Sequence, residues 1–338
     1  MTQDIAEQPE ALRRLLVEGT GPIAAVARAI TQRRPRFVLL VARGTSDHAA
    51  LYAKYLVEIR LGLPAGLASP STLTIYRARP DLRDVLVIAV SQSGGSPDLT
   101  GSLQAARECG ALTVAVTNNA GSALAEAAEF HVDVLAGHER AVAATKTYTS
   151  ELLALYLLLE AVAGGDTAAA TALPDLTEQL IGQAAEPVAA AAPRYRFAEQ
   201  MITTARGYAY CTAREAALKL METCYLSAQA FSGADLLHGP LAMVDREMPV
   251  IGVVPRGKAE GATRDVLDRL VAGGGDLLVV GDADIIPTAA HLPLPRVAEE
   301  LSPVLEIVPL QLLARDLAVA RGGNPDAPRG LTKVTETW

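Results

Sequence analysis

Asp84-Val-Leu-Val-Ile-Ala-Val90 runs directly into Ser91-Gln-Ser-Gly-Gly-Ser96 and then Pro97, and the fold is decided by how this stretch is read. An apolar, β-branched run that ends in a Ser/Gly turn reads as a buried strand. Gly94 and Gly95 let backbone approach a ligand closely, and Pro97 suits the first turn of a helix. Strand, tight turn and helix in that order gather small hydroxyls and free N–H groups at a helix N-terminus. The partial positive charge there favours a phosphate monoester. An ordinary strand-to-helix turn is the bland alternative. No Lys follows the glycines as a nucleotide P-loop requires, and Ser91 stands where a nucleophile elbow needs Gly two residues before its serine.

The same alternation extends on either side. Helical segments at 7–18 and 22–33 precede expected strands at 37–42, 84–90, 112–117 and 130–134. Helices fit at 46–61, 97–109, 122–127 and 146–162. A Gly/Ala/Thr-rich stretch at 163–174 and a helix near 176–191 form a connector. Alternation then resumes with a strand near 207–211, a helix over 212–225 capped by Thr212, strands at 250–254 and 277–280, and a helix over 303–321. Strand and helix in alternation imply parallel sheets with helices on both faces, hence a three-layer α/β/α architecture present twice. The expected division is N-terminal helices 1–35, a first α/β domain 36–165, a helical connector 166–193, a second α/β domain 194–322, and a tail 323–338 that closes over the active site. Ligands of open α/β sheets bind outside the carboxyl ends of the strands, where the turns at 44–46 and 91–96 both lie.

Composition narrows the functions. At 338 residues, half of them hydrophobic, the chain suits two domains. A net charge of -8 without a basic stripe argues against nucleic-acid partners. Cys109, Cys211 and Cys224 are scattered, which fits buried thiols in a reducing compartment. Residues 1–10 are polar and acidic, unlike a secretion signal, and the apolar run 152–159 between Glu151 and Glu160 is too short for a bilayer. The expectation is a cytoplasmic protein without membrane contact. The histidines at 48, 131, 138, 238 and 291 show no ligand spacing, so no metal is expected; no redox or other cofactor is called for either.

In the second half, Glu215, Lys219 and Glu222 recur at intervals of four and three and so share one helical face. A solvated stripe is the plain reading. Their position just after a strand, at the end where ligands bind, favours a site. His238 precedes a Gly-Pro turn in apolar surroundings and is either structural or a proton carrier. Lys333 ends a stretch containing Pro325 and Pro328, which is either a frayed end or a lid.

Taken together, Gly44-Thr-Ser46, Ser91-Gln-Ser-Gly94, Val142-Ala-Ala-Thr-Lys146, Glu215-Ala-Ala-Leu-Lys-Leu-Met-Glu222, His238-Gly-Pro240 and Asp326-Ala-Pro-Arg-Gly-Leu-Thr-Lys333 form an ordered set. The set resembles the double-SIS sugar isomerases, the family that includes the isomerase half of glucosamine-6-phosphate synthase. The likeness covers essentially the whole chain. It implies two tandem SIS domains, each a parallel sheet flanked by helices. It further implies that Thr45, Ser46, Ser91, Gln92, Ser93 and Ser96 hold the phosphate and sugar hydroxyls and that Val142 contacts the sugar through its backbone. Glu222 would move a proton between C1 and C2, His238 would assist ring opening, and Lys333 would polarise the carbonyl or form an imine. Lys219 and Glu215 would complete the charged surroundings.

The family's dimers take the His from the partner subunit, which implies a homodimer with shared sites. Ser96 departs from the synthase, which has Thr there, and the synthase's glutaminase part has no counterpart in this sequence. The resemblance therefore implies a small-molecule sugar phosphate as partner and free ammonia as product, as in deamination of glucosamine 6-phosphate to fructose 6-phosphate. Cleavage of a fructosamine 6-phosphate, action on galactosamine 6-phosphate, and non-catalytic sensing of a phosphosugar stay open. Sensors commonly carry a DNA-binding helical domain, for which the roughly 35 residues before the first strand leave little room.

Overall fold

The run that opens the reading becomes the central strand of a parallel sheet. The computed structural model describes residues 1–333; positions 334–338, the end of the expected tail, lie outside the described residues. The chain forms two units. One comprises Glu10–Glu139 and Lys146–Thr171 with Thr332 and Lys333, and the other Met1–Pro9, Arg140–Thr145 and Ala172–Leu331.

Helices α1 (Thr2–Ala6), α2 (Gln8–Arg14) and α3 (Thr20–Arg33) lead to β1 (Phe37–Val41) and α4 (Gly44–Leu56). There follow β2 (Ala65–Leu67), α5 (Pro70–Thr74), β3 (Val85–Ser91), α6 (Pro97–Glu108) and β4 (Leu112–Thr117). The first unit is completed by α7 (Ala123–Ala127), β5 (Phe130–Asp133) and α8 (Lys146–Ala163). Its five strands run in the order β2-β1-β3-β4-β5, every pair parallel. After its first residue β3 is buried throughout, because a parallel sheet is covered on both faces. Val87 and Ala89 of β3 pack with Leu99, Leu103 and Ala106 of α6. That packing seats the α6 N-terminus at the carboxyl end of β3.

The second unit continues with α9 (Leu173–Arg194), β6 (Gln200–Ala205), α10 (Tyr210–Cys224), β7 (Ser227–Ser232) and α11 (Gly233–Leu237). Next come β8 (Pro249–Val254), α12 (Glu260–Ala272), β9 (Asp276–Gly281), β10 (Ala290–Leu292) and α13 (Ser302–Ala320). Its sheet order, β10-β9-β8-β6-β7, repeats the topology of the first, with β6 flanked by β7 and β8 as β1 is by β2 and β3. The expected connector helix is α9, which packs along α13 as part of this unit. Nearly all of α13 is buried, which explains an apolar sequence without a polar face.

Three expectations need correction. The strand assigned near 207–211 is instead Gln200–Ala205, because Gly207 takes a left-handed φ of +61° and opens a 3-10 turn through Ala209. Since α10 then starts at Tyr210, Thr212 lies inside the helix and caps nothing; its buried hydroxyl donates to Glu306 Oε2 at 2.5 Å. Cys211 and Cys224 are buried as expected, but Cys109, at the end of α6, is partly exposed.

Candidate active site

In the first unit, adjacent parallel strands place two turns side by side. β1 and β3 are in register from Phe37↔Val85 to Val41↔Ala89, so the start of α4 and the Ser91–Ser96 turn leave the sheet together. Arg43, the residue before α4, is extended, and its guanidinium pairs with the buried Asp98 in the first turn of α6 at 2.8 Å. This ion pair ties the two helix starts to each other. The sequence reading missed it, although a basic residue immediately before Gly44-Thr-Ser46 and an acidic one after Pro97 were visible.

The Ser91–Ser96 turn is shaped by its own serines. Ser91 Oγ accepts from Gly94 N at 3.2 Å, and Ser93 Oγ accepts from Gly95 N at 3.2 Å. Gly94 takes φ +64°, and a Cβ there would lie 2.1 Å from Ser122 Oγ. Its carbonyl accepts from Leu124 N at 3.1 Å, so this glycine is required by space as well as by conformation. Ser96 precedes α6 with extended backbone, and its side chain makes no capping hydrogen bond. Gln92, Ser93 and Ser96 are partly exposed, as a ligand cradle requires, whereas Ser91 is buried. Thr45 and Ser46 lie in the first turn of α4, and Ser46 Oγ donates to the buried Glu151 at 2.8 Å. The loop as a whole presents backbone and hydroxyl groups at a helix N-terminus, a geometry suited to phosphate.

In the second unit, α10 carries the charged face. Lys219 is fully buried, with Nζ 2.5 Å from Glu222 Oε2 and 3.3 Å from Glu215 Oε1. Burial alone would push its ammonium down, but the carboxylates of Glu215 and Glu222 outweigh that and hold it above the ordinary lysine value. The group is therefore a fixed positive charge. Glu215 is fully buried while the Glu222 side chain is 22% exposed, so of the three only Glu222 reaches outward. A solvated stripe is ruled out by this burial.

The tail is fastened near the end of this helix. Tyr225 takes a left-handed conformation that terminates α10, its hydroxyl accepts from Arg329 N at 2.8 Å, and the Arg329 guanidinium stacks 4.2 Å from its ring. Val142 N donates to Asp326 O at 3.3 Å, which sets the Val142 segment against the tail. The amino terminus pairs with Asp326 and Asp4, and Asp4 accepts from Arg140 N and Ala141 N. Sequence reading gave no role to Met1, Asp4 or Tyr225.

His238 ends α11 beside Gly239, whose φ is +136°, and it is exposed. Its neighbours Leu236, Leu237 and Leu241 pack into the apolar core of this unit, as the sequence suggests, but the His238 side chain itself stands on the surface. Lys333 is described within the first unit, where Nζ lies 4.0 Å from Glu139 Oε2. Among the described residues no cluster of His, Cys, Asp and Glu could hold a metal ion. Nor is any helix among them long and apolar enough to cross a membrane.

Comparison with known proteins bears on both halves. The SIS domain family model matches residues 33–161 and 195–321. A glutamine–fructose-6-phosphate aminotransferase from Pyrococcus horikoshii is 34% identical over 343 residues, covering 98% of this chain but 57% of that protein. The chain thus spans a little over half the length of such relatives. Among solved structures, a candidate phosphosugar isomerase from Silicibacter pomeroyi is 36% identical with a TM-score of 0.89, covering 96% of this chain and 98% of that one. The C-terminal domain of the glucosamine-fructose-6-phosphate aminotransferase from Francisella tularensis is 27% identical with a TM-score of 0.86, covering 97% of each chain.

Proposed function

The chain belongs to the SIS domain family, and from that premise we propose that it is a phosphosugar isomerase that deaminates an amino-sugar phosphate, converting glucosamine 6-phosphate and water to fructose 6-phosphate and ammonia. One observation carries the reading: on α10 a buried ammonium grips two carboxylates and leaves only Glu222 with an outward path. A carboxylate fixed in that way suits proton transfer between neighbouring carbons.

In this reading Ser91, Gln92, Ser93 and Ser96, with Thr45 and Ser46, hold the phosphate. That anchor uses binding energy remote from the reacting carbons to orient them. The ring opens with His238 as acid. Glu222 removes the C2 proton to give an enolamine and returns a proton at C1, so that C2 becomes an imine. Water adds to that imine, ammonia leaves, and the ketose remains. Lys219 keeps Glu222 in place, Glu215 balances the buried charge, Val142 contacts the sugar through its backbone, and Lys333 acts at the carbonyl. The working form is a cytoplasmic homodimer in which His238 is lent to the partner's site.

The test follows ammonia and fructose 6-phosphate after incubation with glucosamine 6-phosphate. Release of both in equal amounts supports the reading. Turnover confined to galactosamine 6-phosphate or a fructosamine 6-phosphate would keep the mechanism and replace the substrate. Tight binding of all three without turnover would replace the enzyme with a sensor.

A further inference from the structure

Glu139, in the connection from β5 to α8, has no role in the reading so far. It is only 2% exposed. Its Oε1 accepts from Lys146 N, the first residue of α8, at 2.9 Å. The carboxylate is thereby fixed at a helix N-terminus, where negative charge is favoured. The Lys146 side chain also donates to His138 O at 2.7 Å. The other carboxylate oxygen, Oε2, faces Lys333 Nζ at 4.0 Å. One oxygen is therefore set by backbone and the other is directed at the end of the tail.

Lys333 lies well beyond the last helix, α13. From Gly323 to Lys333 the chain has only turns and bends, so no helix or strand aims its ammonium. A buried, rigid carboxylate is costly unless a cation stands near it, and a long flexible side chain is aimed best by a fixed charge. We propose that Glu139 is a positioning residue, which holds the Lys333 ammonium in the place from which it acts on the sugar carbonyl. The proposal rests on the role given to Lys333 above. Glu139 itself touches no reacting atom in this account.

The test uses the full chain without substrate. Glu139→Gln keeps an oxygen for Lys146 N and removes the charge. Acetylation by an amine-reactive ester is followed at Lys333 by peptide mass spectrometry, with the exposed Lys258 as internal reference. Loss of the tether should raise the Lys333 rate about fivefold relative to Lys258. On whichever amino-sugar phosphate the protein turns over, kcat should fall about tenfold with KM changed less than twofold, and Glu139→Asp should recover part of the loss. A folded Glu139→Gln protein whose Lys333 labels at the original rate overturns the proposal. If Glu139→Gln does not fold, the same labelling of Glu139→Asp decides, and an unchanged rate again overturns it. Because labelling needs no turnover, a protein inert toward every amino-sugar phosphate would remove the proposed reaction while the tether is still judged on its own.

Discussion

Glu222→Gln is the substitution on which the residue-level account depends. It retains the size and most hydrogen bonding of the carboxylate but cannot take a proton, so kcat should fall about a hundredfold or more while KM stays within a few-fold. Steady-state kinetics would show it, and undiminished kcat would remove Glu222 from the reaction. A second residue, Glu306, bears on stability. It is fully buried on α13, and burial pushes its carboxyl up to about 7, against the lowering effect of its hydrogen bond from Thr212. Between the unfolded value of 4.5 and about 7 the folded chain holds a proton that the unfolded chain has lost. Stability from this group is therefore greatest below pH 4.5 and declines as pH rises to 7, by something on the order of 3 kcal/mol. Glu306→Gln, which does not titrate, should lose less stability than the natural chain between pH 5.5 and 8.0 in urea unfolding. Parallel losses would show that the carboxyl does not titrate there. The i, i+4, i+7 face of α10 was legible from spacing alone, whereas its burial was not, since burial depends on elements distant in sequence.

At the scale of elements, the β3–α6 turn is a binding device whose parts have separable effects. Ser93→Ala removes a hydroxyl that acts on phosphate in ground and transition states alike, so KM should rise while kcat holds. Gly94→Ala adds a Cβ that meets Ser122 and forces a left-handed φ on alanine, so it should cost about 1–3 kcal/mol and weaken phosphate binding together. Calorimetric titration with inorganic phosphate checks both; a Gly94→Ala protein of unchanged stability would contradict the turn described. This strand and turn were readable because a continuous apolar run followed by Ser and Gly has few other solutions. The run 200–205 was less clear, since Thr203, Thr204 and neighbouring polar residues dilute it. Tyr208 and Tyr210 have strand-like composition, but they follow Gly207, a glycine whose left-handed φ opens a turn there. Strands as short as Ala65–Leu67 and Ala290–Leu292 leave almost no periodicity to read.

For the whole molecule, the duplicated sheet order makes a sharp contrast between two copies of one topology. One presents a Ser/Gly cradle after its central strand, and the other carries the charged helix after β6. If His238 serves the partner's site, mixing inactive His238→Ala with inactive Glu222→Gln should restore activity after subunit exchange, because one site in each mixed dimer is intact. Verified exchange without recovery would place both residues in a site built by one chain, or leave His238 structural. The tandem organisation was legible from alternation, but the attachment of residues 1–9 and 140–145 to the second unit was not, as it depends on Asp4 and Asp326 meeting groups far away in sequence. The central claim, proton transfer by Glu222 on an amino-sugar phosphate, is tested most directly by proton NMR of glucosamine 6-phosphate incubated with the protein in heavy water. The account predicts fructose 6-phosphate and ammonia, with deuterium at C1 to the extent that the proton carried by Glu222 exchanges with solvent, and conversion at least about a hundredfold slower with Glu222→Gln. A substrate spectrum unchanged over a long incubation, or equal conversion by the variant, would contradict it.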